Sequence, residues 1–177
     1  MDKIYAVIDL KSFYASVECV ERHLDPFNTN LVVADPSRGK GAICLAISPK
    51  MKMLGIKNRC RIYEIPPTVK YIVALPRMKK YIEYSANIYA IYLKYFAKED
   101  IHVYSIDEAF MDATNYLKMY NMTAVELAQT IIKDIFNTYG ITHVILYKNS
   151  KLNIFLSRSD RYKELYSDKK FVIYERD

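Results

Sequence analysis

A chain of 177 residues, 51% of them apolar, is long enough for one core with a small inserted lobe. Its 26 Lys and Arg against 20 Asp and Glu give a formal charge of +6, which suits a polyanionic partner such as nucleic acid. Asp9 and Lys11 interrupt the first apolar run too early for a signal-peptide core, and no later run reaches spanning length, so a cytoplasmic protein without membrane contact is expected. Cys19, Cys44 and Cys60 have no metal-binding spacing and are odd in number, so they read as buried thiols.

Ile4 to Ile8 is apolar without alternation, the pattern of a central strand covered on both faces, and it stops at Asp9. Ser12 then stands where it can cap a helix running through Phe13, Val17 and Val20 to about Arg22, before Asp25-Pro26 breaks it. Leu31 to Ala34 and Ala42 to Ile47 read as strands of a hairpin around the turn-rich stretch 35–41. Ser48 followed by Pro49 opens a short helix that Gly55 closes, and Arg61 to Ile65 looks extended up to Pro66-Pro67.

From Met78 to about Ala97, Tyr81, Tyr84, Ile88, Ile91, Tyr92 and Tyr95 recur at helical spacing and read as a core stripe. His102 to Ile106 and Ala109 to Met111 read as strands flanking Asp107-Glu108. Thr123-x-x-Glu126 is a capping box opening a helix that Gly140 ends near Tyr139. The order of elements predicts an α+β fold with helices packed on one face of a sheet.

Three carboxylates sit at the edges of apolar stretches, Asp9 and the pair Asp107-Glu108, and a carboxylate in such a place needs a partner, of which a metal is one. Divalent cations held by a few carboxylates serve phosphoryl transfer. Neighbours along a strand point to opposite faces, however, so Asp107 and Glu108 share a site only if the chain turns or bulges there.

Ile8-Asp9-Leu10-Lys11-Ser12-Phe13-Tyr14-Ala15-Ser16-Val17-Glu18 resembles the opening motif of the Y-family (UmuC/ImpB/MucB/SamB-like) translesion DNA polymerases. Tyr104-Ser105-Ile106-Asp107-Glu108-Ala109-Phe110-Met111-Asp112 resembles their second metal motif, and Gly41 through Ile65 resembles their fingers. The resemblance runs from about residue 3 to residue 142. It implies a ferredoxin-like polymerase palm, 1–25 and 71–142, with a fingers subdomain at 26–70 inserted into it.

Under that resemblance the function is template-directed, error-prone nucleotidyl transfer in the bypass and repair of damaged DNA, part of an SOS response. Asp9, Asp107 and Glu108, with the backbone carbonyl of Leu10, would hold two Mg²⁺ ions, for which Mn²⁺ can substitute. Lys11, Ser12, Phe13 and Tyr14 would meet the triphosphate through their amides at a helix start, with Tyr14 as the steric gate against a 2′-hydroxyl. Phe13 would also anchor its helix in the core. Lys52 would take the place of a family arginine, and the Ser48-Pro49 form resembles the UV-repair and plasmid-borne subgroup. Gly41, Ala42 and Ile43 would roof the nascent base pair.

The expected partners are a DNA primer-template and deoxynucleoside triphosphates, with a sliding clamp or recombinase engaged through regions beyond this chain. From residue 143 to 177 the family pattern lapses into a divergent tail without thumb or little finger; only His143 onward keeps a strand-like start. Lys148 and Lys151 are left as stand-ins for a triphosphate-binding lysine. This predicts weak or absent polymerisation by the 177-residue chain, and leaves a non-catalytic DNA- or partner-binding remnant as the alternative. A nucleotide cyclase, which uses similar carboxylates, would be expected to carry a Gly-rich substrate hairpin, and Ser105-Ile106-Asp107-Glu108 is not one.

Overall fold

A computed structural model of the chain describes residues 2–139, 143–147, 157–158, 162–167, 169 and 171–176. It is an α+β structure whose strands form three small sheets. Ile8–Asn87 with Tyr104–Glu108 make one compact unit, and Met1–Val7, Ile88–Val103 and Ala109–Asp177 make the other.

The first strand, β1 (Tyr5–Asp9), differs from expectation. Tyr5 and Val7 are 53% and 55% exposed while Ala6 and Ile8 are half-buried, so the strand is covered on one face only. Among the described residues the face that carries Tyr5 and Val7 is left open to solvent. In the order β1-β6-β5, where β5 is Ile101–Val103 and β6 is Glu108–Asp112, β1 is an edge strand. Leu10 N–H donates to the Asp107 carbonyl at 2.8 Å and Ala113 N–H to the Ile4 carbonyl at 2.8 Å, which sets β1 antiparallel to β6. β5 and β6 pair antiparallel, Ile101 opposite Met111 and Val103 opposite Ala109.

Helix α1 (Phe13–Val20) starts where expected but not by the expected cap. Ser12 occupies the capping position in the left-handed region, φ 56°, and its hydroxyl makes no capping bond; its carbonyl accepts the first helical bond from Ser16 N–H at 2.9 Å. α1 packs on β2 (Leu31–Val33) and β3 (Ala46–Ile47) with Phe13, Ala15, Val17 and Cys19 buried.

β2 and β3 pair antiparallel, Val32 opposite Ile47, but the longer strand expected from Ala42 is divided. Ile43 pairs instead with Arg61, and Cys44 N–H donates to the Cys60 carbonyl at 2.8 Å. Ile62–Glu64 is a 3-10 turn rather than extended, because the Glu64 carboxylate reaches back to accept Arg61 N–H at 2.6 Å. Strand β4 (Ile72–Ala74) pairs parallel with β2, and the sequence reading had no strand there. The core of this lobe is Val32, Ala34, Cys44, Ile47, Met51, Cys60 and Ile65. All three cysteines are free and buried; burial pushes Cys19 up to about 11 and Cys44 up to about 12, so both remain thiols.

Helix α2 (Pro49–Met53) is capped as its sequence predicts. The buried Ser48 hydroxyl accepts from Met51 N–H at 3.4 Å and Leu31 N–H at 3.2 Å and donates to the Thr29 carbonyl at 2.7 Å. Gly55 follows the helix at φ 81°, which a residue with a Cβ adopts only under strain. Ser48→Ala orphans two donors and one acceptor, so a loss of about 1–2 kcal/mol is expected. In a thermal melt that is a fall of about 2–8 °C.

Helix α3 (Met78–Tyr92) is shorter than the predicted span; of its stripe Tyr81, Ile88, Ile91 and Tyr92 are buried as expected, while Tyr84 is half-buried and Tyr95, also half-buried, lies beyond the helix. Helix α4 (Thr114–Tyr120) was not foreseen. α5 (Ala124–Tyr139) opens on the predicted capping box, Thr123 N–H donating to Glu126 Oε2 at 2.7 Å and Glu126 N–H to Thr123 Oγ1 at 3.3 Å. Leu127, Ile131 and Ile135, four residues apart, form its buried face. β7 (His143–Tyr147) is the strand-like start anticipated, and β8 (Tyr162–Ser167) and β9 (Phe171–Arg176) join it in the antiparallel order β7-β9-β8. Gly140, Lys148 and Lys151 lie outside the described residues.

Candidate active site

The backbone of β1 and the β5–β6 connection brings the sequence-predicted carboxylates to one end of the sheet. Asp9 is the last residue of β1, and the next residue, Leu10, is hydrogen-bonded to the carbonyl of Asp107. The turn that Asp107-Glu108 required is present. Tyr104 and Ser105 N–H both donate to the Glu108 carbonyl, at 3.0 and 3.1 Å, so the chain bends through Ser105–Asp107 before β6 begins at Glu108.

The Ser105 hydroxyl donates to Asp107 Oδ1 at 2.8 Å and accepts Asp107 N–H at 3.4 Å, which holds the carboxylate against its own turn. Asp9 carries a cation, since the Lys11 ammonium is paired with its Oδ2. Glu108 is half-buried, and its carboxylate has no ion pair or hydrogen bond among the described residues. Three carboxylates offer the hard oxygen donors that Mg²⁺ takes, and the lysine on Asp9 shows that this end of the sheet accepts positive charge. The donor chemistry therefore fits a divalent cation. The side chains are not gathered: among the described residues no three His, Cys, Asp or Glu are drawn together as a ligand group.

One lysine, Lys11, pairs with Asp9, and a second, Lys52, lies within its electrostatic reach. Lys52 on α2 has its pKa lowered, first by burial and then by the charge of Lys11, against the opposing pull of Asp9. Lys11, Lys52 and Asp9 thus lie within electrostatic reach of one another, with more cationic charge than Asp9 neutralises. Beside them the first-turn amides of α1, which have no intrahelical acceptor, receive none from the Ser12 hydroxyl. Phe13 is buried, whereas Tyr14 is half-buried. Burial, and then the charge of Asp107, raise the pKa of Tyr14, which places its phenol in the field of that carboxylate.

The Gly41–Ile43 segment is tied down from below. The Gly41 carbonyl accepts from Arg61 Nη1 at 2.7 Å, Ala42 is buried, and Ile43 is 48% exposed, an apolar side chain facing solvent beside two small residues.

The sequence gives Tyr81 only a core role and Glu18 and Arg77 none of their own. Glu18 is fully buried on α1, yet ionised. Arg77 Nε and Nη2 donate to its two oxygens at 2.9 Å each, Tyr81 OH donates at 2.8 Å, and Arg22 completes the set. Burial pushes its pKa up, but the bonds from Arg77, Arg22 and Tyr81 outweigh that and hold it below the ordinary value. Tyr81 in turn stacks on Tyr14, with ring centroids 4.5 Å apart and planes 15° from parallel. The i, i+4 pair Glu18-Arg22 was visible in the sequence; the partners 59 and 63 residues away were not.

Among known protein families, the impB/mucB/samB family matches residues 8–147. The putative UV-damage repair protein UvrX of Bacillus subtilis (strain 168) is 38% identical over 107 residues, 60% of this chain and 26% of that protein. DNA polymerase IV 2 of the same organism is 36% identical over 142 residues, 79% of this chain and 33% of that one. The crystal structure of DinB from Sulfolobus solfataricus superposes with a TM-score of 0.63 at 28% identity, over 76% of this chain and 38% of that one. The chain thus spans about a quarter to a third of the length of these two curated relatives.

Proposed function

This chain belongs to the impB/mucB/samB family, and we propose that it carries the nucleotide-binding and catalytic end of a DNA-damage-bypass polymerase, its palm at 1–25 and 71–142 and its fingers at 26–70. The observation that carries the reading is the end-to-end placement of Asp9 and Asp107, linked through the Leu10–Asp107 backbone bond, beside the cationic pair Lys11 and Lys52.

In this reading Asp9, Asp107, Glu108 and the Leu10 carbonyl hold two divalent cations. Bound there, Mg²⁺ would activate the attacking 3′-hydroxyl and neutralise the leaving pyrophosphate. The chain's own groups supply binding and orientation. The first-turn amides of Lys11 to Tyr14 and the positive end of α1 receive the triphosphate, and Lys52 neutralises it as a point charge rather than a fork. The ring of Tyr14 lies under the incoming sugar and excludes a 2′-hydroxyl. Gly41, Ala42 and Ile43 roof the nascent pair with little bulk, which trades shape discrimination for tolerance of damaged bases. Ser105 orients Asp107.

The reaction is template-directed and error-prone, with a primer-template and deoxynucleoside triphosphates as substrates. Among the described residues no helix is long and apolar enough to cross a membrane. The duplex-gripping portions of a full-length polymerase are the remainder of such a protein, and a clamp or recombinase would bind there. Each phosphate contact contributes to salt-sensitive affinity for such a duplex.

The test is calorimetric titration of dATP with Mg²⁺ or Mn²⁺ into the chain. Saturable binding that disappears with EDTA is the expected result. No binding under either metal would replace this reading with the non-catalytic one, in which the fold persists as a DNA- or partner-binding module.

A further inference from the structure

A ring that excludes a 2′-hydroxyl does so only if it cannot yield. Tyr14 is half-buried at the start of α1, and a tyrosine there has free rotation to turn away unless something backs it. What backs it is Tyr81, whose ring lies nearly parallel to that of Tyr14 at 4.5 Å and is itself wholly buried. Phe13 bounds Tyr14 from its neighbouring position, with centroids 5.9 Å apart and planes tilted by 51°.

Tyr81 is in turn prevented from shifting. Its hydroxyl donates to Glu18 Oε1 at 2.8 Å, and Glu18 is held by the two-pronged Arg77 contact at 2.9 Å and by Arg22. A planar guanidinium gripping both oxygens of a carboxylate fixes direction as well as distance. The chain of contact thus runs from Arg77 through Glu18 and Tyr81 to the face of Tyr14. None of these three residues reaches the carboxylates Asp9 and Asp107 by any bond among the described residues, so their action on the site is through the ring.

Resting on the reading of Tyr14 as the sugar gate, we infer that Tyr81, clamped by Glu18 and Arg77, is a positioning residue that sets how strictly the nucleotide site rejects ribose. The strictness follows from stiffness: with Tyr81 in place Tyr14 has one plane available, and without it the ring tilts and admits the extra hydroxyl.

The experiment compares the affinities of dATP and ATP, each with Mn²⁺, for wild type, Tyr14→Ala, Tyr81→Leu and Tyr81→Phe by calorimetry. Wild type should favour dATP, and Tyr14→Ala should bring the two affinities together. Tyr81→Leu should lower the preference by roughly three- to tenfold, the range of one aromatic pair, while dATP affinity stays within about twofold of wild type. Tyr81→Phe keeps the stack but loses the anchor, and should fall between the two.

A Tyr81→Leu preference equal to wild type, with Tyr14→Ala equalised, overturns the inference and leaves the gate standing. Should Tyr81→Leu fail to melt cooperatively, Tyr81→Phe decides: a fall of at least about twofold supports the inference and an unchanged preference overturns it. A wild type without preference, or a Tyr14→Ala that retains it, removes the gate and the inference with it.

Discussion

Glu18→Ala should lower the unfolding free energy by about 3 kcal/mol. For a domain of this size that is a fall of about 6–12 °C in melting temperature. The carboxylate is fully buried and accepts from Arg77 twice, from Tyr81 and from Arg22. Removing it leaves the Tyr81 hydroxyl in the core without its acceptor, Arg22 without this carboxylate, and Arg77 with only the more distant Glu21 at 3.6 Å. The loss sits at the lower end of the range for broken buried pairs, because Arg77 and Arg22 are 41% and 35% exposed and recover some hydration. Glu18→Gln keeps shape and one acceptor but forfeits charge assistance, so about 1–2 kcal/mol is expected.

The pH dependence separates charge from packing. The folded pKa of Glu18 is depressed, so the unfolded chain binds the proton more readily and the stabilisation is complete above the ordinary glutamate value of 4.5. It is lost as pH falls through the depressed folded value. The gap between wild type and Glu18→Gln in urea melts should therefore close on acidification, while the gap to Glu18→Ala keeps its packing part. A Glu18→Ala chain as stable as wild type at neutral pH would contradict the network.

What the sequence made legible was what acts within four residues. Ser48-Pro49 and Thr123-x-x-Glu126 announce helix starts because their bonds close inside one turn, and α2 and α5 begin there. The stripe from Tyr81 to Tyr92 is core for the same local reason. β4 was invisible because three residues carry no period, and its pairing with β2 joins positions about forty apart. The apolar run of β1 misled, since a strand covered on one face and a strand covered on both can share one composition, and only the elements packed on each face decide.

At the site, the turn at Ser105–Asp107 was posed as a condition that the sequence left open, and the bonds to the Glu108 carbonyl meet it. Glu18 was within the quoted opening motif, but nothing in the sequence marked it as buried. Its burial depends on Arg77 and Tyr81 arriving from α3 and the residue before it, which no local pattern reports.

Asp107→Ala should abolish metal-dependent dATP binding while leaving the fold intact. The fold prediction follows from the contacts: the Asp107 carboxylate is held by the Ser105 hydroxyl alone among the described residues, so its removal should change stability by no more than about 0.5–1 kcal/mol. The binding prediction follows from charge. A residue that merely orients a ligand is worth roughly 10–100-fold in metal affinity, and a residue that supplies the ligand oxygen is worth more. Ser105→Ala provides the contrast, since it removes the orienting hydroxyl and leaves the carboxylate. It should weaken metal-dependent dATP binding by about tenfold, where Asp107→Ala brings it below detection. Both variants should melt close to wild type, so weakened binding cannot be assigned to unfolding. Equal, small losses in the two would mean that Asp107 supports the turn and ligates nothing, and the two-metal reading would fall while the family's fold remained.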